Sequence, residues 1–295
     1  MSLNMELFEQ IAIEKGCDIA FPIKEHFLIQ VIQQLVSRFH SADGDLIFGG
    51  GTSLVCAYDE LTKRFSEDAD FRFVPRPKST ANVRKLLTDI AHSLDGFELI
   101  AEPVPESSKI EFRFVDTENI VQTHSALRPY IKLEVFFTNN LFYAPEEKEI
   151  SSFYDKLAGI NSGFKLKCVS LEDTTIDKIS SFLWRILSTD TEKSQYNPAD
   201  MRHLHDLFFL APKIDIDRTF KSNMLDVFKS DMNHRMRAQY TFDVCVRDVI
   251  DLLHRDKQFK SDYEQYVANM SYAKNTDRLS FEEACKSFEE LTSKI

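Results

Sequence analysis

"GGGTSLVCAYDELTKRFSEDADFRF", residues 49–73, opens on three of the chain's eight glycines and closes on two aspartates, Asp68 and Asp70. The residues just before it, DLIFGG, read as a short apolar strand running into the glycines. TSLVCAYDEL (52–61) reads as a helix with Thr52 at its N-cap. A strand that ends in glycine and turns into a helix lets the backbone come close to a ligand, because no Cβ stands in the way. The first amides of the helix then point at whatever is bound, which suits phosphate. An ordinary tight turn uses the same glycines. The P-loop pattern is absent, since Lys63 lies in the wrong place for it.

The end of the stretch sharpens the reading. ADFRFV (69–74) alternates and reads as a strand. Side chains two apart on a strand share a face, so Asp68 and Asp70 present both carboxylates to one spot. Like charges so close repel. A divalent cation compensates them, and magnesium, or manganese in its place, prefers such hard oxygen ligands. A solvated acidic turn is the plain alternative. A third carboxylate, Glu134, sits in YIKLEVFF (130–137), a run rich in β-branched and aromatic residues that reads as a strand. A charge in so apolar a strand needs a partner. The partner is either a base such as Lys132 or, if this strand neighbours the Asp-x-Asp strand, a shared metal site. Three converging carboxylates can hold two metal ions for phosphoryl or nucleotidyl transfer.

The bulk composition is that of a globular protein, 43% hydrophobic and 28% charged over 295 residues. No apolar run approaches the roughly 20 residues of a membrane span. The N-terminus has no basic stretch followed by an apolar core, so no secretory signal is expected and the location expected is cytoplasmic. Five scattered cysteines without a C-x-x-C pair point to reduced thiols rather than zinc or a disulfide framework. A net charge of −11 argues against a sequence-blind polyanion binder, although a local basic groove remains compatible with it.

Periodicity divides the chain near residue 170. Before it, helices are expected at 23–39, with Pro22 just ahead, and at 80–94. Strands are expected at 97–104, 109–115, 130–137 and 164–170. After it, 170–187 opens with Ser170 and Asp173, an acidic variant of the capping box. Residues 197–211 open with Asn197 as N-cap and Pro198 at the first helical position, and 280–291 carry a Ser280–Glu283 box. The expected organisation is therefore α+β. Residues 1–170 form a mixed-sheet domain with flanking helices, and residues 171–295 form an all-helical domain. The polar run STDTEKSQYNPAD (188–200) reads as a loop.

Spacing also groups residues in the helical half. Lys178 and Arg185 are two turns apart and share a face, as do Arg202 and Asp206, four apart. Cations on one face could neutralise a triphosphate. An ordinary solvated basic stripe, with an Arg202–Asp206 surface pair of little energetic weight, is the alternative. His203 and His205, two apart on a helix, point in different directions and do not suggest a shared zinc. His26 reads as solvent-facing or as a core hydrogen-bonder. Trp184 and the 25 phenylalanines read as packing residues rather than base-stacking platforms.

FGGGTSLVCAYDELTKRFSEDADF resembles the G-G-T-[SA]-L…R-[FL]-S-E-D-x-D signature of the AbiEii-type abortive-infection toxins, nucleotidyltransferases of the DNA polymerase β-like superfamily. IKEHFLIQVIQQL is similar to that family's upstream helix, with Lys24-Glu25 where Lys-Asp is usual. DKISSFLWRIL is similar to its Lys-x6-Arg helix, giving Lys178 and Arg185. MRHLHDLFFL is similar to its Arg-Asp-x-x-Asp-Leu element, giving Arg202 and Asp206. The resemblance spans roughly residues 20 to 210. It departs at His203, where the family carries aspartate, and this puts full activity or the usual substrate in question.

The resemblance implies a nucleotidyltransferase fold whose helical domain closes over the active-site cleft. It implies that Asp68, Asp70 and Glu134 hold magnesium and that Gly50, Gly51, Thr52 and Ser53 cradle the phosphates of an NTP. It further implies that Lys178 and Arg185 bind the triphosphate, while Arg202 and Asp206 position it or the acceptor. The reaction implied moves an NMP onto RNA, such as tRNA, or onto protein, in phage defence or a toxin–antitoxin pair with a cognate antitoxin. A nucleotide-binding or protein-interaction module with weakened catalysis is the competing reading.

Overall fold

The structure, a computed structural model, describes residues 3–103, 106, 108–118, 120, 124–161, 163–188, 196–234, 240–272 and 278–295. The central part of the expected loop, residues 189–195, lies outside them. The chain divides into two compact units, Met1–Val169 with Tyr272–Lys274, and Ser170–Ser271 with Asn275–Ile295.

The first unit is built on a mixed sheet. Its strands are β1 (Asp45–Gly49), β2 (Asp68–Val74), β3 (Phe97–Leu99), β4 (Lys109–Asp116), β5 (Ile131–Phe137), β6 (Glu146–Glu149) and β7 (Lys165–Cys168). They lie in the order β3-β4-β5-β2-β1-β7-β6. β2 pairs parallel with β5 and antiparallel with β1, and β4 pairs antiparallel with β5. Alternation gives this sheet two unlike faces. One face carries Phe48, Phe71, Phe73, Phe112, Phe114, Leu133 and Val135, all 1% exposed or less. Helices α2 (Ala20–Arg38) and α4 (Ala81–Ala91) belong to this apolar layer, α2 packing on β2, β5 and α4. Truncating one of its phenylalanines to alanine would cost roughly 3–5 kcal/mol. The opposite face of β2, β4 and β5 carries Asp68, Asp70, Arg72, Lys109, Glu111, Arg113, Lys132 and Glu134.

The helices of this unit depart from the sequence reading in instructive ways. α2 starts at Ala20 and takes Pro22 into its first turn, where a missing N–H costs nothing because the first four amides lack helical partners. α3 (Gly50–Cys56) starts two residues before Thr52, with Gly49 at its N-cap and no side-chain cap. It ends at Cys56 instead of continuing to Leu61, and the turns that follow hold Asp59, Glu60 and Lys63 at positive φ. β3 stops at Leu99, short of the expected strand. The helices α1 (Met5–Lys15) and α5 (Phe153–Leu157) and strand β6 had no clear sequence signal. β6 reads EEKE, with no apolar alternation, and it is a strand because β7 pairs with it.

The second unit is helical among its described residues. α6 (Leu171–Leu187) packs on α7 (Met201–Leu210), α8 (Arg218–His234) and α9 (Phe242–Arg255). α10 (Lys257–Met270) and α11 (Phe281–Thr292) pack on α7. Caps fix the helix starts. Ser170 accepts from the Asp173 amide, and Ser280 and Glu283 form a complete box. Asn197 caps a single 3-10 turn, Pro198–Asp200, that leads into α7. Trp184 is 7% exposed, a core residue of α6 with the Arg185 guanidinium 4.6 Å from its ring centre. No helix among the described residues is long and apolar enough to cross a membrane.

Candidate active site

The glycine turn and the Asp-x-Asp strand meet. β1 and β2 pair so that Gly49 faces Asp70 across the ladder. Gly50 has φ +71, and a Cβ there would collide with the Asp70 carboxylate. A Cβ on Gly51 would collide with the guanidinium of the buried Arg64. The glycines therefore let an acid and a base approach the backbone from two sides. Thr52 and Ser53 are buried and their hydroxyls point inward. Thr52 Oγ1 donates to Ser66 Oγ at 2.9 Å and contacts the Asp68 carbonyl. Ser53 Oγ donates to the Gly50 carbonyl at 2.9 Å.

The third carboxylate lies on the same side of the sheet as the two aspartates. In the parallel β2–β5 ladder Asp68 partners Lys132 and Asp70 partners Glu134. Across the antiparallel β4–β5 ladder Glu134 partners Glu111. Register partners share a face, so Gly49, Asp70, Glu134 and Glu111 form one row across four strands. Asp68, Lys132 and Arg113 form the next row.

Internal cations compensate these acids. Glu134 is 7% exposed, and its two oxygens accept from Lys109 Nζ at 2.7 Å and Lys132 Nζ at 2.5 Å. Burial pushes the Glu134 carboxyl up, but the hydrogen bonds and charges of the two lysines outweigh it and hold the group below its ordinary value. Both ammonium groups also lie 3.7 Å from Glu111, which Arg113 pairs at 2.6 Å. Arg128 sits on Asp68, and its amide donates to Glu67 at 2.7 Å. The buried Lys24 donates to Glu67 at 2.7 Å and to the Arg128 carbonyl at 2.5 Å. Burial holds the Lys24 ammonium below its ordinary value despite Glu67. The neighbouring Glu25 accepts from the Phe153 amide at the start of α5, and burial pushes its carboxyl up to about 8. His26 bonds Ser152 and Gln30, making it a core hydrogen-bonder.

The helical unit gathers a second charged cluster. Lys178 Nζ donates to Asp206 Oδ2 at 2.6 Å, and both side chains are buried. Arg185 reaches Asp200 at 3.0 Å and Arg202 approaches the same carboxylate at 3.7 Å. The Arg202–Asp206 surface pair that the spacing allowed does not form. Asp206 is turned into the core toward Lys178, and Arg202 turns back toward Asp200. His203 has both ring nitrogens enclosed and without a hydrogen-bond partner among the described residues. Burial, then the charges of Arg202, Lys178 and Arg185, keep its imidazole well below its ordinary value and so neutral. His205 turns elsewhere, its Nδ1 3.4 Å from the Tyr263 hydroxyl.

The structure thus joins Asp68, Asp70, Glu134 and the glycines within the first unit, and Lys178, Arg185, Arg202 and Asp206 within the second. Sequence reasoning missed Arg128, Lys109, Glu67 and Asp200. Glu67 stands inside the SED motif, and Asp200 fills the third position of the Asn197 capping box, so both carried a signal. Lys109 and Arg128 carried none, because strand pairing and a loop bring them to the site.

As hard oxygen donors two residues apart on one strand face, Asp68 and Asp70 fit a divalent cation. Glu134 lies in the same row as Asp70, with one ammonium group on each of its oxygens. Among the described residues no group of three or more His, Cys, Asp or Glu side chains is arranged to hold a metal ion.

Comparison with known proteins bears on the family and the fold. The family described as "Nucleotidyl transferase AbiEii toxin, Type IV TA system" matches residues 34–292. Among solved structures, the chain is similar to MenT4, a nucleotidyltransferase toxin from Mycobacterium tuberculosis H37Rv. The TM-score is 0.57 at 18% identity, over 99% of each chain. An antigenic nucleotidyltransferase-like protein from Paracoccidioides brasiliensis aligns more loosely. Its TM-score is 0.40 at 16% identity, over 73% of this chain and 93% of that one. No curated protein sequence matches the chain.

Proposed function

The chain belongs to the AbiEii nucleotidyltransferase toxin family of type IV toxin–antitoxin systems, and on that premise we propose that it transfers an NMP from an NTP to an acceptor hydroxyl. The acceptor oxygen bonds to the α-phosphorus, the α–β bridging bond breaks, pyrophosphate leaves, and the hydroxyl proton passes to a base. The single observation that carries this reading is the close packing of the Asp70 carboxylate on Gly50. It sets the Asp68–Asp70 pair beside a turn whose backbone can face phosphate.

Asp68 and Asp70 would hold magnesium or manganese. Bound there, the ion would neutralise phosphate charge and align the attacking and leaving oxygens. Gly50 and Gly51 serve the phosphates through their backbone, whereas Thr52 and Ser53 brace the turn through the inward bonds of their hydroxyls. In the helical unit, Lys178, Arg185 and Arg202 supply charge for the triphosphate. Asp206 fixes Lys178, and Asp200 fixes both arginines. The acceptor is RNA, tRNA included, or protein, and the biological setting is phage defence or growth control in the cytoplasm, with an antitoxin as partner.

Incubation with each α-labelled NTP and cell extract tests the reading. Wild type should label RNA or protein, and Asp70→Ala should abolish the label. Label that persists in Asp70→Ala refutes the site.

His203 favours a second reading, a nucleotide-binding module of weakened catalysis. A neutral imidazole stands there in place of the family's aspartate. Calorimetry that shows NTP binding with magnesium, together with no label transfer to any acceptor, would select it.

A further inference from the structure

We propose that His203 and Arg185 complete a phosphate-binding site in the helical unit, and that the phosphate is bound there together with a proton taken up by the imidazole. The inference rests on the reading that this charged cluster serves phosphate. Its grounds are two side chains that the fold encloses and does not satisfy. Both ring nitrogens of His203 and the Nε of Arg185 are buried with no hydrogen-bond partner among the described residues. A buried donor or acceptor left unpaired forfeits the hydrogen bonds it made to water, so each such group calls for an explanation. Arg185 is one of the charges that act on the His203 ring, so the three orphaned atoms belong to one cluster.

The surrounding charge decides what these atoms can receive. Arg202 and Asp206 act on the ring from its own helix, and Lys178 and Arg185 act on it from α6. Asp200, in the turn before α7, holds both arginines. The other helices packed on α7 face different partners. Asp262 of α10 accepts from Tyr196 and Gln258, Tyr263 of α10 lies against His205, and α11 buries Phe281, Ala284, Cys285 and Phe288. Three cations against one carboxylate make the field at the ring positive, and a positive field favours an anion. The arginines are the accessible members of the cluster, 27% and 33% exposed against 7% for Lys178. Each guanidinium has five donors, more than its contact with Asp200 uses.

The same field, with burial, keeps the ring neutral in the absence of ligand. An arriving phosphate offsets the neighbouring cations and accepts a hydrogen bond from the ring. Both changes favour the charged form. A neutral imidazole has one N–H to give and an imidazolium has two, so the proton adds a donor where the anion needs one. Binding therefore tightens as pH falls, because the bound state holds the extra proton.

Wild-type protein supplies the first test. Nitrogen-15 NMR of the His203 ring at about pH 6.5, in metal-free buffer, should show a neutral imidazole alone and an imidazolium at saturating inorganic pyrophosphate. Calorimetry of the same titration in two buffers of different ionisation heat should give wild type about half a proton or more beyond His203→Asn. That difference removes the proton uptake of pyrophosphate itself. Wild type should also bind about fivefold or more tighter than His203→Asn at about pH 6, with a smaller gap at about pH 8. A ring that stays neutral at saturation, or a proton count and pH dependence shared with His203→Asn, would overturn the proposal. Should His203→Asn fail to fold, the ring spectrum of wild type still decides.

An NTP and a short RNA, used in turn as ligand, identify the source of the phosphate. An imidazolium formed with the NTP puts the site on the triphosphate, and one formed with RNA alone puts it on the acceptor. Either supports the proposal. Failure of wild type to transfer label from any NTP would refute the activity, and the ring spectrum would remain readable.

Discussion

Gly50→Ala isolates the contact on which the catalytic reading rests. Two separate costs follow from the structure. The φ of +71 would become a left-handed conformation for an L residue, at about 1–2 kcal/mol. The new Cβ would also drive the Asp70 carboxylate out of place, an overpacking cost of about 1–3 kcal/mol. Gly96→Ala is the control. It has φ +79, and a Cβ there would meet nothing within 4 Å, so it carries the conformational cost alone. The loss of unfolded-chain freedom is the same for both substitutions and cancels. Gly50→Ala should therefore destabilise the first unit by about 1–3 kcal/mol more than Gly96→Ala. In an Asp70→Gly background, which removes the Asp70 Cβ as well as its carboxylate, the excess should disappear, which is the signature of a direct contact in a double-mutant cycle. The assay is urea unfolding followed by far-UV circular dichroism, with hydrogen exchange on the β1 and β2 amides to assign the loss. The sole tryptophan, Trp184, lies on α6 in the helical unit, so its fluorescence reports on that unit instead. Equal losses for the two alanine variants, or an excess that persists without Asp70, would refute the contact and with it the geometry of the turn.

The buried Lys178–Asp206 pair predicts a second cycle. Lys178→Met or Asp206→Asn alone should cost the helical unit about 3–5 kcal/mol, because each leaves a buried partner behind. The double Lys178→Met/Asp206→Leu should cost clearly less than the sum, as read by Trp184 fluorescence in urea, and simple additivity would refute the pairing. Glu25 predicts a pH dependence. Its carboxyl is raised from about 4.5 to about 8 in the folded state, so the native state binds the extra proton between those values. Its contribution to stability is present below the lower value and is lost as pH rises to the upper one, by up to about 1.4 kcal/mol per pH unit. Glu25→Gln should flatten that part of the stability profile, and a wild-type-minus-variant difference independent of pH would refute the assignment.

The glycine–aspartate block was legible in the sequence because its parts are local. Three glycines report a close approach, and alternation from Asp68 to Val74 reports which side chains share a face. What lies opposite was not legible. Glu134 neighbours Asp70 only because β2 and β5 pair in parallel across sixty-odd residues, and no local pattern sets that register. The sequence reading left Glu134 between a salt bridge and a metal site. The structure shows two lysines on it, one being the expected Lys132 and the other, Lys109, supplied by β4. In the helical half, spacing gave the shared faces of Lys178 with Arg185 and of Arg202 with Asp206. It could not give partners, because a residue's helical face does not say which neighbouring helix or turn meets it. Asp206 bonds a lysine on α6, and Arg202 turns to a carboxylate two residues behind it.

The acidic face has to fold before any ligand neutralises it. Neighbouring strands lie about 4.8 Å apart, and two carboxylates at that separation repel by roughly 3 kcal/mol at an effective dielectric of 20. A row holding Asp70, Glu134 and Glu111, with Asp68 and Glu67 beside it, would use up much of the stability of an ordinary domain. The chain answers with cations from several segments. Lys24 from α2 serves Glu67, Arg128 from a loop serves Asp68, Lys109 and Lys132 serve Glu134, and Arg113 serves Glu111. This compensation fixes what each part of the face can receive. A cation arriving at Asp68 must displace Arg128 or share the carboxylate with it. The cations that let the acidic sheet face fold without ligand are thus the groups that an incoming cation must displace or share a carboxylate with.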